Sequence, residues 1–161
     1  MVQSFKVAVE KDYLVFAAAH FIVGQGVCEP LHGHNYRVHV ELEGALDEVG
    51  YVYDFGPLKR MTKRLVDELD HRVMLPLRNP MLQVSVEGEE VRVAHQDKRY
   101  LFPRADVVLL DLPNTTAEHL ARRFLERLKE ELAGQRGLTE LTVEVEESFG
   151  QSGSCRETLR R

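Results

Sequence analysis

Two histidines separated by one glycine, His32-Gly33-His34, together with His20, are the residues of this chain best suited to chemistry. In extended backbone, side chains two residues apart project to the same side, so His32 and His34 aim at one point while Gly33 lets another backbone come close. His20, at the end of a preceding strand, supplies a third nitrogen. Three imidazoles with one open position are the arrangement of a catalytic zinc, Zn2+, rather than of a structural one. A single histidine reads more simply as a surface or hydrogen-bonded core residue. Three of the chain's seven within fifteen residues favour a metal. His39, on the polar side of its strand, and His95 and His119, without partners in sequence, read as structural or exposed.

Around the triad stand groups whose roles the residues alone leave open. Cys28, four residues before His32, fits a fourth ligand, a core filler, or a base and nucleophile whose pKa a nearby cation lowers. A thiolate ligand would leave substrate no place on the metal. Glu29 is a loop carboxylate or a second base. Asp70-His71 closes a helix, either as a C-terminal dipole contact or as a functional pair. Glu147 falls on the apolar side of the strand LTVEVEES, in line with Val143 and Val145. A carboxylate there needs hydrogen-bond donors to offset desolvation, from a bound heterocycle or from water at a strand end.

Positioning these groups requires the following elements. Residues 4–10 and 13–22, rich in Val, Phe and Ala around Glu10-Lys11-Asp12, predict a first hairpin. Residues 23–33 form a loop, and the alternation from Asn35 to Leu42 is that of a half-buried strand. Residues 50–55 look strand-like. Leu58, Met61, Leu65 and Leu69 at helical spacing predict a helix over 57–69 with Pro57 in its first turn. Residues 82–102 predict a strand pair divided at Glu87-Gly88-Glu89, followed by a short strand over 106–110. A second helix starts after Asn114-Thr115-Thr116 and runs through Leu120, Phe124, Leu128 and Leu132 to Gly134. Residues 138–148 return to strand alternation, and a last short strand follows. The result is one α+β domain over 1–161, an antiparallel β-sheet with two helices packed on one face.

Composition agrees with this. At 161 residues the chain builds a core without a structural metal, so a metal here is functional. With 43% apolar and 29% charged residues, and no stretch long enough to span a bilayer, a soluble protein with no membrane partner is expected. A net charge of -5 argues against a nucleic-acid partner, and the basic clusters at 59–64 and 122–127 read as solvated helix faces. The first residues lack the pattern of a secretory signal, and two cysteines, Cys28 and Cys155, read as free thiols. The expected location is cytoplasmic.

The residues in order resemble the 6-pyruvoyl-tetrahydropterin synthase and 6-carboxytetrahydropterin synthase family. The resemblance rests on His20 after Phe16-Ala-Ala-Ala, on Cys28 to Tyr36, on Val52-Tyr-Asp54-Phe55 with Leu58-Lys59, on Leu69-Asp70-His71, on Pro113 to Glu118, and on Glu147-Ser148. It implies a tunnelling fold (T-fold) and a homohexamer with sites at subunit interfaces. It implies zinc on His20, His32 and His34, and Glu147 as anchor of the pterin ring, with backbone contacts from Asn114, Thr115 and Thr116. Cys28, with Asp70 and His71 from a neighbouring subunit, would transfer protons.

The implied substrate is 7,8-dihydroneopterin triphosphate. The three-residue gap between Cys28 and His32 resembles the branch that releases acetaldehyde and leaves 6-carboxytetrahydropterin for queuosine-type deazapurine synthesis. A longer gap accompanies triphosphate elimination to 6-pyruvoyltetrahydropterin. Glu29 resembles the base of a third branch, which forms a 6-hydroxymethylpterin for folate, so the Cys-Glu-x-x-His-Gly-His pattern admits both activities. A pterin-binding module without turnover is the alternative from another class, and the intact Cys28, Asp70 and His71 argue against it. The segment 83–102 departs from compact family members, as an extra hairpin near the entrance or an outer decoration. The chain after Ser148 is also less typical.

Overall fold

The structure is a computed structural model that describes residues 3–159, so Met1, Val2, Arg160 and Arg161 of the expected single domain lie outside the described residues. Strand β1 (Phe5–His20) pairs antiparallel with β4 (His32–Gly44), and β4 with β10 (Leu138–Ser148), which in turn pairs with β11 (Gln151–Thr158). On the other side of β1 lie β5 (Arg72–Pro76) and β9 (Val107–Leu110), both in parallel pairing. The six-stranded sheet therefore runs β11-β10-β4-β1-β5-β9 and is mixed rather than wholly antiparallel. The parallel edge arises because α1 (Phe55–Asp67) carries the chain back across the sheet before β5 begins.

Both helices lie on one face, as the sequence predicts. Leu58, Met61 and Leu65 of α1, and Leu120, Phe124 and Leu128 of α2 (Ala117–Glu131), join Phe16, Tyr36, Val38, Val40, Val143 and Val145 in one core. Each helix has a side-chain cap: Asp54 accepts from the Gly56 N–H, and Thr116 from the His119 N–H. Pro57 sits in the first turn of α1, where a missing N–H costs nothing.

Four local expectations are corrected. Glu10-Lys11-Asp12 does not turn the chain. It lies within one sixteen-residue strand, because β4 is long enough to pair with both halves. Between Glu10 and Val15 the register shifts: β1 advances five residues while β4 advances two, from His39 to Arg37. This bulge changes which residues face the helices, from Val9 to Leu14, Phe16, Ala18 and His20. Residues 50–54 are bent, irregular chain following a turn, not a strand, and Phe55 already opens α1: the Asp47 carboxylate accepts the N–H groups of Val49 and Tyr51, and Gly50 takes φ +93°.

The segment 82–102 forms three strands rather than two, β6 (Gln83–Glu87), β7 (Glu90–His95) and β8 (Lys98–Pro103), in a separate antiparallel sheet. The missed turn is Gln96-Asp97, where Gln96 adopts φ +51°. Strand β5 had no alternation to reveal it, because Met74 joins the helix-side core while Leu75 joins a second cluster on the opposite side. That second cluster contains Phe21, Val23, Cys28, Leu82, Val91, Val93 and Val107. Residues 23–33, expected as loop, include a minimal hairpin of β2 (Val23–Gly24) and β3 (Val27–Cys28).

One glycine fixes where α2 begins. A Cβ on Gly153 of β11 would stand 2.6 Å from the Glu118 nitrogen and 2.8 Å from the Ala117 carbonyl carbon, so the first helical turn rests directly on the strand. We expect Gly153→Ala to destabilise the protein by about 1–3 kcal/mol through overpacking. The lowered urea midpoint is the readout, and a wild-type midpoint would refute the close seating of α2.

Candidate functional site

The helix-facing stripe of β4 runs Leu42, Val40, Val38, Tyr36, His34, His32, changing from apolar to imidazole where the helices end. The β1 bulge brings His20 opposite His32 on the same side, and β10 ends its own stripe Val143, Val145 with Glu147. One face of three adjacent strands thus converges on three histidines and a carboxylate. One nitrogen from each of His20, His32 and His34 lies within 4.8 Å of the others. The rings meet edge to face, with centroids 4.7–5.4 Å apart.

Backbone carbonyls fix two of these rings. His20, with no solvent exposure, has Nδ1 3.1 Å from the Thr115 carbonyl oxygen, and His32 Nδ1 is 2.8 Å from that of Pro30. A carbonyl only accepts, so the Nδ1–H tautomer satisfies both carbonyls and leaves each Nε2 free to ligate. That second partner is what orients a metal-bound histidine. Burial lowers the His20 pKa, against the opposing pull of Glu147 and the Thr115 carbonyl, which keeps the ring neutral and ready to ligate. The donor set therefore fits zinc.

Glu147 is in part exposed, with its carboxylate 3.4 Å from His20 Nε2 and 3.8 Å from His34 Nε2. The Tyr36 hydroxyl donates to it at 3.3 Å. Burial, reinforced by Glu147, pushes the Tyr36 phenol far above its ordinary range, so it remains a donor. Beside Glu147 opens a cavity of about 290 Å³, lined also by Ile22, Thr116, Ala117, Glu118, Gln151 and Ser152. It is close in size to small ligand pockets.

The remaining predicted residues divide. Thr115 is buried against His20, with its hydroxyl 3.2 Å from Nδ1, and Thr116 caps α2. The Asn114 amide donates to the Val23 carbonyl, tying this turn to β2. Glu29 reaches to 3.9 Å from His32 Nε2. Cys28 instead turns its thiol into the second apolar cluster, where burial pushes its pKa up, Lys98 draws it down and Glu29 raises it. Asp70 and His71 form a pair at 3.0 Å anchored on Ala17, whose N–H donates to Asp70 and whose carbonyl accepts from the His71 N–H. Burial raises the Asp70 pKa, but the Ala17 N–H and His71 outweigh it and hold the carboxyl below its usual range. Among the described residues this pair makes no hydrogen bond or ion pair with the triad. His71 is widely exposed and holds φ +57°, a strained backbone for a non-glycine residue.

Sequence reasoning passed over Tyr36 and Asn79. Tyr36 shares the even-numbered parity of His32 and His34, a signal available in the sequence. Asn79, which donates to the carbonyls of Val23 and Pro113, had none. The three histidines set aside earlier do lie apart from the triad. His39 pairs with Glu10 and Glu41, His95 is buried against the Met81 carbonyl, and His119 sits in the first turn of α2.

Comparison with known proteins places this arrangement. The family model for 6-pyruvoyl tetrahydropterin synthase matches residues 9–158. A Methanocaldococcus jannaschii protein provisionally named 6-carboxy-5,6,7,8-tetrahydropterin synthase is 34% identical over 145 residues, 88% of each chain. The 6-carboxy-5,6,7,8-tetrahydropterin synthase of Haemophilus influenzae is 32% identical over 121 residues, 71% of this chain and 77% of its own. Among solved structures, 6-pyruvoyl tetrahydropterin synthase of Plasmodium falciparum superposes with a TM-score of 0.92 at 30% identity, covering 97% of this chain and 99% of its own. With the family model matched over most of the chain and both relatives and fold in agreement, this chain belongs to the 6-pyruvoyl tetrahydropterin synthase family.

Proposed function

We propose that the protein is a zinc-dependent carbon–carbon lyase that converts 7,8-dihydroneopterin triphosphate to 6-carboxy-5,6,7,8-tetrahydropterin, releasing acetaldehyde and triphosphate. The observation that carries this is the convergence of one ring nitrogen from each of His20, His32 and His34 with Glu147 beside a cavity. The names of the curated relatives support the choice of product. Deazapurine (queuosine) synthesis is the pathway that would use it.

In this reading His20, His32 and His34 hold the metal. Zinc bound there supplies a Lewis acid that polarises the side-chain oxygens of the substrate and stabilises developing negative charge. Glu147, steadied by Tyr36, accepts N–H groups of the pterin ring, and the Asn114–Thr116 turn frames the ring from the start of α2. Cys28 exchanges protons with carbons of the substrate side chain. Asp70 accepts from His71 Nδ1 and so fixes the imidazole for proton donation. In the homohexamer that the family resemblance implies, Asp70 and His71 serve the site of a neighbouring subunit; in their own chain they make no hydrogen bond or ion pair with the triad among the described residues.

One observation favours a second activity. The Glu29 carboxylate reaches to 3.9 Å from His32 Nε2, while Cys28 packs into the second apolar cluster. The 6-pyruvoyltetrahydropterin synthase of Plasmodium vivax, 28% identical with a TM-score of 0.89, was solved as variants of a glutamate described as its catalytic residue. Glu29 in that role would yield a 6-hydroxymethyl-dihydropterin.

Products separated by mass test both readings. Zinc-loaded protein given dihydroneopterin triphosphate should form 6-carboxytetrahydropterin and acetaldehyde. Cys28→Ala should lose about 10²–10⁴-fold of that rate. Glu29→Ala should abolish only the hydroxymethyl product. Tight pterin binding without either product would reduce the protein to a binding module. The intersubunit assignment is tested by mixing: Cys28→Ala and His71→Ala, each inactive alone, should regain activity after joint refolding. Failure to complement, with hexamers present, would place both groups in one subunit's site.

A further inference from the structure

The three-stranded sheet turns one regular face toward the site. Across β7 and β8 the pairs are Val91 with Phe102, Val93 with Tyr100, and His95 with Lys98. The first two pairs are apolar and join the second cluster with Phe21, Val23 and Cys28. Tyr100 stacks on Phe21, the residue after ligand His20, with ring centroids 5.2 Å apart. The third pair is polar, and it falls where the face meets the loop that carries Cys28.

Two bonds are made there. The Lys98 ammonium donates to the Cys28 carbonyl, and the Gln96 amide, from the turn between β7 and β8, donates to the Gly26 carbonyl at 3.3 Å. Lys98 is itself half-buried, so this bond offsets part of the cost of withdrawing an ammonium from water. Gly26 and Gln25 both hold positive φ, so the loop is a tight turn with little freedom once its carbonyls are fixed. The same ammonium lowers the Cys28 pKa against the effect of burial.

We infer that Lys98 is a positioning residue for Cys28, and that the β7–β8 hairpin clamps the Cys28 loop and thereby sets how the thiol, relative to Glu29, is presented to substrate. The clamp stands on geometry alone. Its consequence for product rests on Cys28 and Glu29 being the two bases proposed above.

The test uses the full chain in a Cys155→Ser background, which leaves Cys28 as the single thiol. Iodoacetamide modifies Cys28 at a rate that rises with access and with ionisation, and because losing the Lys98 charge disfavours the thiolate, a faster rate in Lys98→Met reports access. Lys98→Met should raise that rate about tenfold, the shift in loop opening expected on losing one charge-assisted hydrogen bond. Lys98→Arg should restore it to near the parent rate. Gln96→Ala, at an exposed position, should raise it by a smaller factor, which keeps the test usable if Lys98→Met folds poorly. The ratio of 6-carboxy to 6-hydroxymethyl product should change in Lys98→Met and return in Lys98→Arg. Parent alkylation rates in both Lys98→Met and Gln96→Ala would overturn the clamp. A raised rate with an unchanged product ratio would uphold the clamp and remove Cys28 and Glu29 from the choice of product.

Discussion

The alternation of side chains along β1, β4 and β10 is the constraint on which the rest of the molecule depends. Each strand buries every second residue beneath the helices, and the same parity, carried past the ends of the helices, presents His20, His32, His34 and Glu147 to one point. Core and site are one stripe with two chemistries. Tyr36 marks the boundary: its ring stacks on Phe16 at 4.7 Å within the core, and its hydroxyl meets Glu147 within the site. A register slip of one residue in any of the three strands would turn its site residue away with its core residues. Folding stability and site geometry are therefore enforced together.

The bulge in β1 follows from this constraint. Before it, Val9 faces Val40, and continuing that register would set Ala17, not His20, opposite His32. The shift between Glu10 and Val15 restores the match at a cost in ladder hydrogen bonds on a partly exposed stretch. The protein holds His20 further from solvent than the other two histidines of the triad, and Thr115, delivered by the turn that starts α2, gives Nδ1 its acceptor. A neutral, buried imidazole with one nitrogen occupied is an efficient metal ligand, because no proton must be displaced and the ring is already oriented.

The triad was legible in the sequence because His-Gly-His on a strand has a single geometric meaning, and both helices were legible because apolar residues recur at their period. Glu147 stood out by its parity with Val143 and Val145. What was not legible depended on partners distant in sequence. A polar Glu-Lys-Asp break between two Val-rich runs has the local signature of a hairpin, and only β4, which pairs with both halves, makes it a bulge. Strand β5, buried on both sides, lacks alternation. The different placement of Cys28 and Glu29 could not be read from adjacent positions. It follows from the second cluster, built by β7 and β8 some seventy residues later, which draws the thiol inward and leaves the carboxylate beside His32.

The proposed zinc site at the end of this stripe, ligated through Nε2 of His20, His32 and His34, is tested most directly by a zinc-loaded crystal measured at the zinc absorption edge. The predicted result is a single anomalous peak about 2.0–2.1 Å from Nε2 of His20, His32 and His34, with a position left open toward the cavity. A peak bound through Nδ1, one that omits His20, or none at the triad would contradict it.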